Sequence, residues 1–149
     1  MVIGEVVKLY IAPLNTTGVR KEQDRLYLFS GGIKDDKFAN KDLEKSVMIV
    51  GKKPYLMAKE NGINLPEAAL GENILLDFDP HELEIGSYLK IGDAIIKITQ
   101  SCTLCKHLTK YSPKLPKLIL KHRGIYCEVV KDGIIRAKDK VELLNSQVA

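Results

Sequence analysis

No apolar run in the sequence approaches the roughly 18 residues that cross a bilayer, so no membrane span and no membrane partner are expected. The opening stretch MVIGEVVKLYIAP places Glu5 and Lys8 among its apolar residues and has no basic leader, which argues against a secretory signal. The expected location is the cytoplasm. Cysteine is scarce: three residues cannot all pair within one chain, and cytoplasmic thiols stay reduced, so no disulfide framework is expected. Charge blocks and low-complexity runs are lacking too, which leaves no composition that favours disorder. There is no G-x-S-x-G elbow, no P-loop, no G-x-G-x-x-G turn and no H-E-x-x-H pair. Hydrolase and nucleotidyl chemistry lose most of their support.

What is present suits a globular protein. The 149 residues are 45% apolar and 28% charged, enough for one domain spanning residues 1–149 and short for two. Strand signals dominate. Val2 to Ile11 is rich in β-branched residues, RLYLF at 25–29 is strand-like, and Val47 to Val50 is a short apolar run ending at Gly51. Tyr88 to Thr99 reads as two strands joined at Gly92-Asp93, and Ile125 to Ile135 as a hairpin turning at Asp132-Gly133. Asp139 to Leu143 is a closing strand. Helix signals are confined to Pro54–Asn61, stopped by Gly62, and Leu115–His122, stopped by Gly124. The expected fold is mainly β, a barrel with a few short peripheral helices.

The chemistry concentrates in one window. From Lys97 to Arg123 there are seven Lys or Arg, two His and no Asp or Glu, although the whole chain carries only +4. A solvated face or a nucleic-acid patch is the plain reading of such a run. Nucleic acid is disfavoured because no aromatic ladder accompanies the lysines. Inside the window lies QSCTLCKHLTKY, with Cys102 and Cys105 in C-x-x-C spacing. A redox pair would want a long helix after the motif, which the sequence does not offer. A zinc site would need His107 and isolated partners such as His122 or Cys127. A single reactive thiolate fits the surrounding cations, which stabilise the charged sulfur. Two small buried hydrophobes at a strand end remain a fourth reading.

Other candidates are Gly71-Glu72-Asn73 before Ile74-Leu75-Leu76, a plain turn unless Asn73 reads a heterocycle edge. In GGIKDDKF at 31–38, Lys37 could face an anion with Asp36 positioning it or a neighbouring backbone donor. Arg123, next to Gly124, could fork onto a phosphate or serve as a helix C-terminal charge. His81 has no supporting neighbours in the sequence and receives no role.

In order along the chain, GGIKDDKFA (31–39), LGENILL (70–76), IGSYLKIGDAIIKITQSCTLCKHL (85–108) and HRGIYCEVVKDGIIRAKDKVEL (122–143) resemble the MOSC domain, the C-terminal domain of molybdenum cofactor sulfurase. The resemblance implies a β-barrel, and it picks Cys105, not Cys102, as the characteristic family cysteine. Cys102 becomes an accessory thiol. The opening motif departs from the family pattern, with Asp35 for a glycine, Lys37 for an arginine and Phe38 for a histidine. By resemblance, the chain is expected to bind a molybdopterin-type molybdenum cofactor, with Cys105 on the metal. Lys37, Lys106 and Arg123 would neutralise its phosphate, Asn73 would hydrogen-bond it, and His107 would donate a proton. The implied activity is reduction of N-hydroxylated compounds with an external electron donor. The alternative within the family is a sulfur carrier with a persulfide on Cys105, meeting sulfur donor or acceptor proteins. Outside it stands a non-enzymatic module that binds an anion or nucleic acid. Pyridoxal phosphate is not expected in this chain, because the sulfurase carries it on a separate domain.

Overall fold

A computed structural model describes residues 1–15, 20–102 and 106–144, with only the backbone of Lys106 and His107. The chain is mainly β. Strands β1 (Val2–Ile11), β5 (Val47–Gly51), β6 (Ile74–Leu76), β7 (Tyr88–Ile91), β8 (Ala94–Ser101), β9 (Ile125–Lys131) and β11 (Lys140–Leu144) run in the order β11-β7-β8-β9-β5-β6-β1. Pairing of β1 with β11, Val2 opposite Glu142 and Glu5 opposite Lys140, closes these seven into a barrel. A short β2 (Lys21–Gln23) adds to the other end of β1. The length of β1 makes closure possible, since its first half pairs with β11 and its second half with β6 and β2. Register shifts along it supply the bend.

Among the described residues only β5 and β6 pair in parallel, which demands a crossover, and the helix α1 (Lys53–Glu60) lies in it. Alternate residues of β5 face opposite ways. Val47 and Ile49 point into the barrel with Leu9, Ile74, Ile96 and Ile98, whereas Met48 and Val50 belong to an outer cluster with Ala58, Cys102, Leu108 and Leu115. Both faces are covered, so the strand reads as an unbroken apolar run. Full burial of each Leu or Ile contributes about 1.5–3 kcal/mol. No helix among the described residues is long and apolar enough to cross a membrane.

The expected bounds of β1 and the turn between β7 and β8 are as read from the sequence. Ile125–Ile135 is not a hairpin. After Asp132 the chain leaves β9, and β10 (Gly133–Arg136) pairs instead with β3 (Arg25–Phe29), which pairs with β4 (Gly32–Ile33). The cause is close packing: a Cβ on Gly133 would fall 2.5 Å from Ala94 N and against the Asp93 carbonyl carbon. This small sheet adds Leu26, Leu28, Ile33 and Ile135 to the barrel core. The second helix, α2, is shorter than expected, Leu115–Leu118, its last carbonyls being met by turn bonds through Leu120 and His122.

Candidate functional site

A cavity of about 220 Å³ opens at one end of β5 and β9. Met48, Gly71, Asn73 and Tyr126 form part of its wall, and Arg20, Phe38, Lys41, Asp42, Lys45 and Ser46 complete it. Its position follows from local structure. Asp42 caps the 3₁₀ turn Leu43–Lys45 by accepting from Glu44 N at 3.2 Å, and the Thr99 hydroxyl bridges the Glu44 and Tyr126 carbonyls at 2.5 and 3.0 Å. That pins Lys45 beside Tyr126, its ammonium 5.7 Å from the ring centroid.

Arg20 is the half-buried cation of the wall. Its side chain is 17% exposed, Nη1 lies 4.0 Å from Asp36 Oδ1, and that nitrogen is buried with no hydrogen-bond partner among the described residues. The guanidinium carbon stands 5.4 Å from the centre of the Phe38 ring. Burial lowers the Arg20 pKa, with Asp36 and then Glu72 acting against it. Asp36 in turn accepts Ala12 N at 2.7 Å and Phe38 N at 3.1 Å, which ties the 31–38 loop to the end of β1. Asp35 occupies left-handed backbone, φ 68°, at the position where the family pattern has glycine.

Gly71-Glu72-Asn73 is both the turn before β6 and part of the site. Asn73 Oδ1 accepts Met48 N at 2.9 Å, while Nδ2 donates to the Tyr10 carbonyl at 3.2 Å and to Asp36 Oδ1 at 3.4 Å. Glu72, 1% exposed, accepts the Tyr55 hydroxyl on both oxygens, at 2.8 and 2.6 Å. Burial pushes the Glu72 carboxyl up, while Tyr55 and Arg20 pull it down.

Of the cysteines, Cys102 is 8% exposed in the outer apolar cluster, and its amide donates to Gly124 O at 2.9 Å. Its sulfur lies 3.6 Å from the Tyr126 hydroxyl. Burial, and then the neighbouring sulfur, push that hydroxyl up to about 12. Cys127 is fully buried in the barrel core, away from the outer cluster that holds Cys102, and burial pushes its thiol up. No group of three or more His, Cys, Asp or Glu that could hold a metal occurs among the described residues.

The other expected site residues are dispersed. Cys105 lies outside the described residues, as do the side chains of Lys106 and His107. Lys37 is half-buried beside the cavity's Phe38, its ammonium 5.2 Å from the ring centroid, but it is not part of the lining. Arg123 is 5% exposed, and its carbonyl accepts the His81 ring at 2.5 Å. His122 Nδ1 donates to Asp79 at 2.7 Å. Lysines 110, 114, 117 and 121 are exposed and line no part of the cavity. Asn73 alone among the described candidates lines it. Sequence reading missed Arg20, Lys41 and Lys45, which stand in no motif, and Tyr126, which lies within the 122–143 stretch but carries no chemistry that singles it out there. The only available signal was the Asp36 carboxylate in GGIKDDKF, which needs a cation if it is buried.

No curated protein matches the chain by sequence. Among solved structures, the YUAD protein from Bacillus subtilis superposes with a TM-score of 0.79 at 21% identity, over 94% of each chain. YiiM from Geobacillus stearothermophilus does so at 0.72 and 18%, over 99% of this chain and 78% of its own. YiiM from Escherichia coli gives 0.71 and 18%, over 95% and 70%. At these identities the likeness is one of fold. A family model described as the MOSC domain matches residues 35–142, which is most of the chain and contains β5 through the middle of β11. With barrel and motif order in agreement, the chain belongs to the MOSC domain family.

Proposed function

We propose that this MOSC protein holds the anionic end of a molybdopterin-type molybdenum cofactor in the Arg20 cavity and reduces N-hydroxylated compounds. The observation that carries this reading is the buried Arg20 Nη1, which has no hydrogen-bond partner among the described residues. An unmet buried donor costs about 1–3 kcal/mol, more when charged, and a phosphate oxygen would satisfy it. Lys41 and Lys45 add positive charge to the same wall. At about 220 Å³ the cavity is smaller than a site that engulfs a whole ligand, so it holds one end and leaves the remainder facing out.

Asn73 contributes by fixing Met48 and Tyr10, its amide being fully engaged there. Lys37 and Arg123 stand outside the lining and act through the field of the site. Cys105 is the proposed thiolate on the metal, with Lys106 and His107 beside it in sequence. The Tyr126 hydroxyl, pushed up to about 12, keeps its proton at neutral pH and can donate a hydrogen bond to a substrate oxygen. When bound, the cofactor supplies two-electron redox chemistry. Conversion of N–OH to N–H and water also consumes two protons, and the electrons come from an external donor protein, because the sequence holds no flavin or iron–sulfur motif.

The test is metal analysis with cofactor extraction, on protein made in a host that synthesises molybdopterin. Stoichiometric molybdenum and an oxidised pterin are expected, lost in Cys105→Ser and Arg20→Ala and only weakened in Cys102→Ser. Metal-free protein whose Cys105 is one sulfur heavier, reversibly by reductant, would instead make it a sulfur carrier. Stoichiometric zinc, lost equally from both cysteine variants, would overturn both readings.

A further inference from the structure

The acid-free window of the sequence occupies a part of the fold that the Arg20 cavity does not use. Lys110, Lys114, Lys117 and Lys121 recur at the spacing of one side of a run of helical turns, and all four are exposed. Leu115 and Ile119, between them, turn inward and are buried in the outer cluster that also holds Cys102 and Met48. The segment around α2 is thus amphipathic, apolar within and lysine-bearing without.

Between this segment and the loop after α1 lies an open groove of about 920 Å³. Ile63, Tyr111, Pro113 and Leu118 give it an apolar floor, and Lys114 and Lys117 stand along it. Among the described residues no Asp or Glu lines it. Glu60, the nearest acid along the chain, is exposed outside the lining and next to Lys59. Backbone bonds fix both banks. Ile63 N donates to Ala58 O at 2.9 Å and Gly62 N to Lys59 O at 3.1 Å, while Lys114 N donates to Ser112 Oγ at 3.2 Å and Leu118 N to Lys114 O at 3.0 Å. A groove formed in advance loses little conformational freedom on binding.

We propose that this groove docks an acidic, amphipathic segment of a partner protein, its carboxylates against Lys114, Lys117 and the flanking lysines and its apolar side chains on Ile63 and Leu118. An apolar floor with a charged rim is the anatomy of a protein interface, and a row of like charges with no acid among them attracts the opposite sign. Nucleic acid fits less well. It would need rings for stacking, the lining offers only Tyr111 among the described residues, and the Lys110 ammonium covers that ring, 5.0 Å from its centroid. The groove shares no residue with the Arg20 cavity, so the inference stands apart from the cofactor reading. The two faces are nevertheless neighbours: the inner side of the lysine-bearing segment packs in one cluster with Cys102 and with Met48 of the cavity wall. Redox chemistry and sulfur carriage at Cys105 would each require a partner protein.

The probe is a fluorescent peptide of Glu, Asp and Leu, titrated into the full chain and followed by anisotropy. Binding is expected at low ionic strength and should weaken between about 0.05 and 0.5 M salt, as screening shortens the reach of the lysines. Lys114→Glu combined with Lys117→Glu should weaken it at least about ten-fold. Lys90→Glu combined with Lys131→Glu makes the same change of net charge at exposed lysines of β7 and β9 and should leave it nearly unchanged. The same peptide with serine for leucine should bind more weakly. Backbone amide shifts of the wild type, which need no substitution, should move at 61–64 and 111–118. Equal losses in the two double variants would reduce the effect to net charge and overturn the groove. Undiminished binding of the serine peptide, shifts centred elsewhere, or no binding at low salt would each overturn it as well. Single-stranded DNA of equal charge binding as tightly as the peptide would overturn the protein partner in favour of nucleic acid.

Discussion

The Cys102 sulfur and the Tyr126 hydroxyl meet 3.6 Å apart, the cysteine at the end of β8 and the tyrosine on β9 in the wall of the cavity. The contact joins the first half of the C-x-x-C motif to the site, although Cys102 itself is nearly covered. It also explains why the tyrosine holds its proton so firmly: burial acts first, and the adjoining sulfur adds to it.

Removing the sulfur should therefore lower the Tyr126 ionisation midpoint without making it ordinary. In Cys102→Ala the midpoint is expected to fall from about 12 yet stay above 10.0, because burial remains. Ultraviolet difference titration against Tyr126→Phe isolates this tyrosine from the other five. A midpoint that does not move would mean that the two groups are not coupled.

Alkaline stability follows from the buried acids. Burial raises Cys127 from its ordinary 9.0 and Tyr55 from its ordinary 10.0. Each folded-state value lies above the unfolded one, so each contribution is complete below the unfolded pKa and is lost as pH rises. Above pH 9 the unfolded chain releases the Cys127 proton while the folded chain keeps it. Stability should fall by about 1.4 kcal/mol per pH unit for each such group. Urea unfolding from pH 8 to 11 should show the decline beginning near 9, and Cys127→Ala should delay it towards 10. A flat profile would contradict the burial of both groups.

Much of the barrel was legible because its strands advertise themselves locally. Val2–Ile11 is rich in β-branched residues, and Gly92-Asp93 turns tightly between two apolar segments. Partner choice was not legible. Asp132-Gly133 carries a hairpin signal, and only the approach of Gly133 to Asp93 and Ala94 shows that the chain crosses to β3 instead. The site divides in the same way. Asn73 stood out through its chemistry, whereas Arg20 is one cation in a polar stretch, gathered to the cavity by the tertiary fold. The acid-free window pointed the other way, since its lysines at 110–121 are exposed outside the lining.

Gly133 offers a direct test of that crossing. Gly133→Ala places a methyl 2.5 Å from Ala94 N, against backbone that cannot rotate aside as a side chain would. A destabilisation of about 1–3 kcal/mol is expected, as for overpacking generally. In a free hairpin turn the same change would cost less than about 1 kcal/mol. Chemical denaturation decides between them.

Asn73 connects three segments through one amide, so its substitutions should separate shape from polarity. Asn73→Leu leaves Met48 N–H and the Tyr10 carbonyl without their side-chain partner. At about 1–3 kcal/mol for each buried group left unmet, a loss of roughly 2–6 kcal/mol is expected. Asn73→Asp keeps an acceptor for Met48 N but turns a carboxylate oxygen towards the Tyr10 carbonyl and Asp36, two acceptors at 3.2 and 3.4 Å. The introduced carboxyl is then better protonated, so its folded pKa lies above the unfolded value. By linkage this variant should be least damaged at acid pH and lose stability, relative to wild type, as pH rises through that folded value. Comparing urea midpoints of both variants and wild type at pH 4.5 and pH 7.5 measures it: the Asp variant's deficit should grow between the two, while that of the Leu variant stays constant. Equal pH behaviour would mean that the amide nitrogen does not face those two oxygens.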